Sequence, residues 1–450
     1  MPPLYRSAEW GLQEGLQSRL RAARGHHLAR VELHERPTPN VFVGSPATIN
    51  GDLMTPTASV RPETDLAHGD GPPAGPLFST TAAVAPGGGA PFEMVEVDLD
   101  ELRPDEVLVD VVAVGMCHTD LSASSGAIPF PTPGVLGHEG AGRVRAIGTG
   151  VRRVAVADAV LMSFTSCGRC TACRGGHPAY CDRHLEWNLL GGRRADGTST
   201  VRRNGVELGA HFFGQSSFSR QAIADERSLV PLEDASDDEL VRFAPLGCGI
   251  QTGAGAVLNV LRPSPDATLA VSGAGAVGLA AVMAAAAQSL STILVIDRVP
   301  ERLELARQLG ATPTIDGRSA DVAGEVRRLT LERGVDAAIE TTGNVGVLES
   351  MVQALAIRGK CVVIGAPRAG SRASFDVNAH IPGRQIIGVT LGDSEPERFI
   401  PELIAMHRAG RFPFDKFERR YAFEDINLAA TDAASGVTIK PVLVMDGANL

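Results

Sequence analysis

From Ser79 onward, apolar positions alternate with polar ones or run in short stretches, as in "TTAAVA", "MVEVDLDE" and "EVLVDVVAVG", with Pro104-Asp105 as turn punctuation. Because successive strand side chains point to opposite faces, a period of two predicts half-buried strands. "GAGRVRAIGTG" and "DAVLMSF" continue the pattern, which predicts a small, partly open β-barrel rather than alternating βα units. Near Leu269 the rhythm changes. Apolar strands such as "TLAVS", "TILVIDR", "VDAAIETTG" and "KCVVIGAP" now alternate with helical runs such as "AVGLAAVMAAAAQ", "ERLELARQLGA" and "LESMVQALAI". That alternation predicts an α/β unit with a doubly wound parallel sheet. Beyond Leu391, a helix-like "PERFIPELIAMHRAG" and a strand-like "IKPVLVM" close the pattern.

Residues 1–78 show neither period. Leu12, Leu16, Leu20 and Leu28 outline a short amphipathic stretch, and residues 37–76 are rich in Pro, Gly, Thr and Ala. They read as a disordered extension or as sequence upstream of the native start. A transit peptide is a weaker reading, because Glu9 and Glu14 interrupt it.

Composition narrows the function classes. Of 450 residues, 44% are hydrophobic and 21% charged, which excludes disorder throughout. The most apolar stretch, 269–287, is broken by Gly273, Gly275 and Gly278 and falls short of the roughly 18 unbroken apolar residues of a membrane span. A net charge of −10 argues against nucleic acid or an anionic membrane as partner. Seven cysteines without a secretory h-region point to the reducing cytoplasm.

Three constellations carry chemistry. Gly273-Ala-Gly275-Ala-Val-Gly278 follows an apolar strand and opens an Ala-rich helix. Glycines there allow a tight turn, close approach of a pyrophosphate and close helix–strand packing, while the helix N-terminus offers free N–H groups. The next strand ends in Asp297, about 20 residues beyond the glycines, where a carboxylate accepts the ribose 2′-OH and repels a 2′-phosphate. This favours NAD over NADP, although Arg298 adjoins Asp297. Cys167, Cys170, Cys173 and Cys181 crowd a loop bracketed by Gly168, Gly175, Gly176 and Pro178, a pattern suited to a closed, structural Zn²⁺ site. Cys117 in "GMCHTD", His138 in "GHEGAG" and Cys248 in "PLGCGIQTG" form a dispersed set. Two thiolates and one imidazole leave a fourth corner open, as catalytic zinc requires.

These motifs, with "ETTGN", resemble the zinc-dependent medium-chain alcohol dehydrogenase family over roughly Ser79 to Met445. "SCGRCTACRGGHPAYC", "FFGQSSFS" and "AGRFPFD" look most like its aryl (benzyl-type) alcohol dehydrogenases. The resemblance implies a GroES-like catalytic domain over 79–249, a Rossmann NAD-binding domain over 250–390 and a return to the catalytic domain over 391–450. It also implies two zinc ions per chain, NAD as coenzyme and a homo-oligomer, dimer or tetramer. Cys117, His138 and Cys248 would hold the catalytic zinc, with Glu139 as a nearby carboxylate and Thr119 as first proton acceptor. His118 and Lys440 would lie near the pyrophosphate, Thr252 near the nicotinamide, and Asp297 with Arg302 at the adenosine ribose. Asp120 would brace the zinc loop, and Phe164 is a candidate for an aromatic substrate pocket or for ordinary core. One departure concerns the proton relay: Ser122 stands where some members carry histidine. The implied reaction is reversible oxidation of a primary, aryl alcohol. Alternatives are an aliphatic or thiol-dependent formaldehyde dehydrogenase of the family, or a non-catalytic zinc- and nucleotide-binding sensor.

Overall fold

The computed structural model describes residues 78–445, which belong to one compact unit. The N-terminal extension expected from the sequence lies outside the described residues, apart from Phe78.

Ten strands precede the change of rhythm: β1 (Phe78–Ala85), β2 (Glu93–Leu99), β3 (Glu106–Gly115), β4 (Gly134–Val135), β5 (Gly140–Ile147), β6 (Ala159–Met162), β7 (Val201–Arg203), β8 (Val206–Glu207), β9 (Gln221–Asp225) and β10 (Leu229–Leu232). They form two antiparallel sheets that curl into a GroES-like half-barrel. One has the order β4-β1-β2-β7-β8. The other builds outward from β3, which pairs with β5 and β9. β3 is nearly continuously apolar because neighbours cover both faces: Val107, Val109 and Val111 face the barrel cluster, while Ala113 joins the cluster beneath the second sheet.

Six strands then form a parallel Rossmann-type sheet: β11 (Thr268–Ser272), β12 (Thr292–Asp297), β13 (Thr314–Asp316), β14 (Val335–Glu340), β15 (Leu355–Val363) and β16 (Gln385–Gly388). Their order is β13-β12-β11-β14-β15-β16, so the topology reverses beside β11. Ligands of open α/β sheets bind at such a switch point, beyond the carboxyl ends of the strands. The helix that follows β11, Ala276–Ala287, is buried from Gly278 to Ala285 and correspondingly apolar all round. Cys361 on β15 is fully buried, a core thiol.

The last two strands, β17 (Glu418–Ala422) and β18 (Lys440–Val444), return to the first half of the molecule. β18 pairs antiparallel with β3, Val442 opposite Gly115, and β17 lies parallel outside it. This return brings Lys440 within reach of residues more than 300 positions earlier.

Candidate active site

Cys117 ends β3's excursion and caps the helix His118–Ser124: its Sγ accepts from the Thr119 amide at 3.4 Å. Asp120 returns the bond, accepting from the Cys117 amide at 2.9 Å, so the two residues form a capping box. The other Asp120 oxygen lies 2.9 Å from His138 Nδ1 and also accepts from the Gly137 amide. A carboxylate on Nδ1 fixes the imidazole tautomer and directs Nε2 inward, the arrangement of a metal-ligating histidine. His138 is fully buried, and its Nε2 has no hydrogen-bond partner. Phe213 stacks on the ring at 4.5 Å and Phe212 meets it edge-on at 5.4 Å. Gln215 closes the cage by donating to the His138 carbonyl at 3.0 Å.

Cys248 precedes the helix Gly249–Gly255 and is 8% exposed. The donor atoms of Cys117, His138, Glu139 and Cys248 all lie within 4.8 Å of one another. Among the protein groups alone, the hydrogen bond with Cys248 holds the Cys117 thiol well below its usual range, helped by His138, while the same bond and burial push Cys248 up. His138 is raised by the Asp120 carboxylate and Cys117 despite its burial. Two soft thiolates and an orphaned imidazole nitrogen brought together in this way fit Zn²⁺.

Glu139 is fully buried and would be costly if unpaired. Both its oxygens sit 2.9 Å from Lys440 Nζ, and Oε1 also accepts from the Gly249 amide at 3.2 Å. Lys440 is 2% exposed and donates to the Met116 carbonyl at 3.2 Å; the Glu139 carboxylate keeps its ammonium protonated against burial. The residue expected beside a pyrophosphate is therefore engaged inside the protein.

The four-cysteine lobe is built locally. Cys170 caps the short helix Thr171–Arg174, and backbone amides of Cys170, Cys167 and Arg183 donate to the sulfurs of Cys167, Cys181 and Cys181 at 3.3–3.4 Å. All four Sγ atoms lie within 4.8 Å of one another. Cys167 and Cys173 are 3.9 Å apart, far too long for a disulfide and close to the roughly 3.8 Å edge of a tetrahedron with Zn–S of about 2.3 Å. The Cys173 amide bond lowers the Cys170 thiol to about 6, whereas burial pushes Cys181 to about 12.

The glycine turn fits a dinucleotide. Gly273 has φ +92°, where a side chain would also strike Thr341; a Cβ on Gly278 would strike the Gly273 carbonyl. A Cβ on Gly275 would instead enter open space at the helix N-terminus, where a pyrophosphate approaches. Asp297 closes β12 with its carboxylate held by the amides of Ala274 (2.6 Å) and Val299 (2.9 Å).

The remaining expected residues are dispersed around these centres. Thr119 Oγ1 is 3.5 Å from Cys117 Sγ, and His118 is exposed one position earlier. Thr252 is buried, its hydroxyl donating to the Cys248 carbonyl at 2.8 Å. Arg302 donates to the Gly436 carbonyl at 3.1 Å, linking the helix after β12 to the C-terminal segment. Phe164 sits in the barrel core at 2% exposure, with its edge toward His184 at 6.1 Å. The Phe213 stack and the Gln215 cage had no assigned role in the sequence reading, although "FFGQSSFS" marks their position.

Two family models match: Alcohol dehydrogenase GroES-like domain over residues 103–234 and Zinc-binding dehydrogenase over residues 276–406. Geraniol dehydrogenase from Castellaniella defragrans is 39% identical, over 82% of this chain and 98% of its own. The chain belongs to the zinc-dependent medium-chain alcohol dehydrogenase family. Among solved family members, benzyl alcohol dehydrogenase from Acinetobacter calcoaceticus is 43% identical with TM-score 0.78, over 82% of this chain and 100% of that one. An alcohol dehydrogenase zinc-binding domain protein from Burkholderia ambifaria is 46% identical with TM-score 0.79, over 82% and 99%. Both metal constellations expected of a zinc alcohol dehydrogenase are thus present in the fold, and a nicotinamide coenzyme follows from the family. Among the described residues, no helix is long and apolar enough to cross a membrane.

Proposed function

We propose that the protein oxidises a primary alcohol whose carbinol carbon is attached to an unsaturated carbon, aryl alcohols first, and that it uses NAD. The observation that carries the reading is the convergence of Cys117, Cys248 and the orphaned His138 Nε2 in one pocket. Benzyl alcohol and geraniol, the alcohols of two similar relatives, share that unsaturated neighbour.

Zinc supplies Lewis acidity toward the alcohol oxygen, and the nicotinamide ring supplies the hydride acceptor. Cys117, His138 and Cys248 would hold the metal, and three protein ligands would leave room for the substrate oxygen. Thr119 Oγ1, beside Cys117, takes the alcohol proton and passes it toward Ser122 or the coenzyme ribose. Glu139 stands ready near the metal, restrained by Lys440. Gly273, Gly275 and Gly278 receive the pyrophosphate with His118, while Thr252 supports the nicotinamide end. Asp297 would accept the ribose hydroxyl and repel a 2′-phosphate, and Arg302 would serve the same adenosine end.

The domain division is 79–249, 250–390 and 391–450. Self-association as a dimer or tetramer is supported by β16, an edge strand: the stretch 377–388 exposes Val377, Ile381 and Ile386. The cytoplasm suits seven unpaired thiols.

A panel of benzyl alcohol, geraniol, 1-hexanol and formaldehyde with a low-molecular-weight thiol, run with NAD⁺ and NADP⁺ and followed by absorbance of the reduced coenzyme, tests the reading. Benzyl alcohol or geraniol with NAD⁺ should give a kcat/KM at least tenfold above hexanol and above the NADP⁺ reaction. Preference for the thiol adduct, or for NADP⁺, overturns it.

A further inference from the structure

Two glutamines and a serine lie inside the protein beside the segments that carry His138 and Cys248. Gln215, Gln251 and Ser163 are each at most 1% exposed. Burying an amide is costly unless its donors and acceptors are matched, so each polar atom calls for a partner. Gln215 Nε2 donates to the His138 carbonyl at 3.0 Å and to the Ser163 carbonyl at 2.6 Å. Its Oε1 accepts from the Gly140 amide at 3.1 Å and from Ser217 Oγ at 2.8 Å. Ser163 Oγ accepts from Gln251 Nε2 at 2.7 Å and donates to the Gly247 carbonyl at 2.7 Å. Gln251 Nε2 gives its other proton to that same carbonyl, and its Oε1 accepts from Ser394 Oγ at 2.8 Å. Every N–H of both amides is used. Flipping either amide would set its oxygen against a carbonyl, so both orientations are fixed.

The bonds run without a break from the His138 carbonyl through Gln215, Ser163 and Gln251 to the Gly247 carbonyl. That last carbonyl belongs to the peptide unit entering Cys248. The unit leaving Cys248 is held by Thr252 Oγ1, which donates to the Cys248 carbonyl at 2.8 Å. With both flanking units held, the direction of the Cys248 side chain is set. His138 is held in the same manner, at its carbonyl by Gln215 and at Nδ1 by Asp120. The segments also press together: a Cβ on Gly247 would lie 2.4 Å from the Met162 carbonyl oxygen and 3.2 Å from the Glu139 Cα. Leucine would fill either glutamine site about as well and would hold neither carbonyl. A buried network with every member satisfied rigidifies its surroundings and specifies one arrangement.

We propose that Gln215 and Gln251, bridged by Ser163, are positioning residues for the alcohol reaction, fixing the spacing of His138 and Cys248 at the metal. They act through the backbone of the ligand segments and touch neither metal nor substrate. This role rests on His138 and Cys248 being zinc ligands, as proposed above.

Cobalt(II) exchanged for zinc in the full-length protein supplies a readout besides activity, because its visible bands follow ligand type and geometry. The bands that Cys248→Ser removes belong to this site, and those that persist belong to the four-cysteine lobe. Gln215→Leu and Gln251→Leu should each shift the Cys248-dependent bands and weaken the catalytic metal by about 10–100-fold in chelator competition. Each should also lower kcat by a larger factor than it changes KM. Because either substitution breaks the same bridge, the double variant should lose less than the product of the two single losses. Val326→Ala, a core truncation beneath the parallel sheet, should lower Tm while leaving bands and metal affinity unchanged. Ser163→Ala keeps the direct bond from Gln251 to Gly247 and should shift the bands in the same direction by less. It decides the question if the glutamine variants fail to fold or to load metal. Cys248-dependent bands that stay unmoved in these variants, with only a lower Tm, overturn the proposal and leave the ligand reading standing. Absence of any Cys248-dependent band in the parent protein overturns the ligand reading, and the proposal with it.

Discussion

The two metal constellations both draw on thiols and reach their geometry by opposite routes. In the lobe, four thiols sit within one loop, three of them partly exposed, and the donors that orient them are amides of the same loop. In the catalytic pocket, ligands come from three separated segments, His138 and Cys248 buried and Cys117 half-buried, and side chains from elsewhere hold them: Asp120 and Phe213 on His138, Lys440 on the neighbouring Glu139. A loop with little core of its own takes its order from the metal, whereas a site walled by packed β-structure is pre-formed by the fold. Zinc is thus a folding element in one region and a reagent in the other.

Replacing one ligand in each region gives the largest contrast. Cys117→Ser should cost several kcal/mol of Lewis-acid stabilisation, on the order of 10³-fold in kcat, with coenzyme binding and Tm nearly unchanged. Cys170→Ser should halve bound zinc and lower Tm by at least about 5 °C, with kcat at low temperature within a few-fold of wild type. Metal analysis, calorimetric melting and steady-state kinetics on both variants decide the matter; a Cys170→Ser protein that melts normally but turns over slowly would reverse the assignment.

Lys440→Met tests whether the catalytic pocket is pre-formed by its buried ion pair. Stranding Glu139 should cost about 3–5 kcal/mol in denaturant unfolding, and Glu139→Gln in the same chain should recover much of it. Additive losses in that double-mutant cycle would show that the pair is not coupled.

The smallest effect belongs to His184, three positions beyond Cys181, whose burial lowers its pKa to about 4 from an ordinary value near 6.5. The folded state disfavours the protonated ring, so the unfolded chain binds more protons between about pH 6.5 and 4, and stability falls as pH drops through that window. The cost approaches about 2–3 kcal/mol at the acid end. His184→Phe should flatten the decline of Tm with acid relative to wild type; parallel curves would remove His184 as its source.

Legibility in the sequence follows the same division. The lobe could be read whole, because its ligands lie within one loop and thiolate spacing alone suits a tetrahedron. The Rossmann turn was legible for a similar reason: backbone conformation at Gly273 and clearance at Gly275 and Gly278 are demands on single positions. Cys117, His138 and Cys248 could be named individually, yet no local pattern says that they meet. Lys440 shows the limit most clearly. Resemblance assigned it to the coenzyme, but β18 pairs beside β3 and delivers its ammonium to Glu139. Arg302 likewise donates to the Gly436 carbonyl, a contact between distant segments that no local pattern announces.

By itself the chain determined which residues have metal-binding and phosphate-binding chemistry and which period each segment follows, since those depend on side-chain type and near neighbours. Tertiary structure alone decided which buried charge pairs with which, and that Phe213 and Gln215 enclose His138. Those outcomes depend on strand pairing between distant segments, where desolvation makes every contact consequential and local sequence carries no record of the partner.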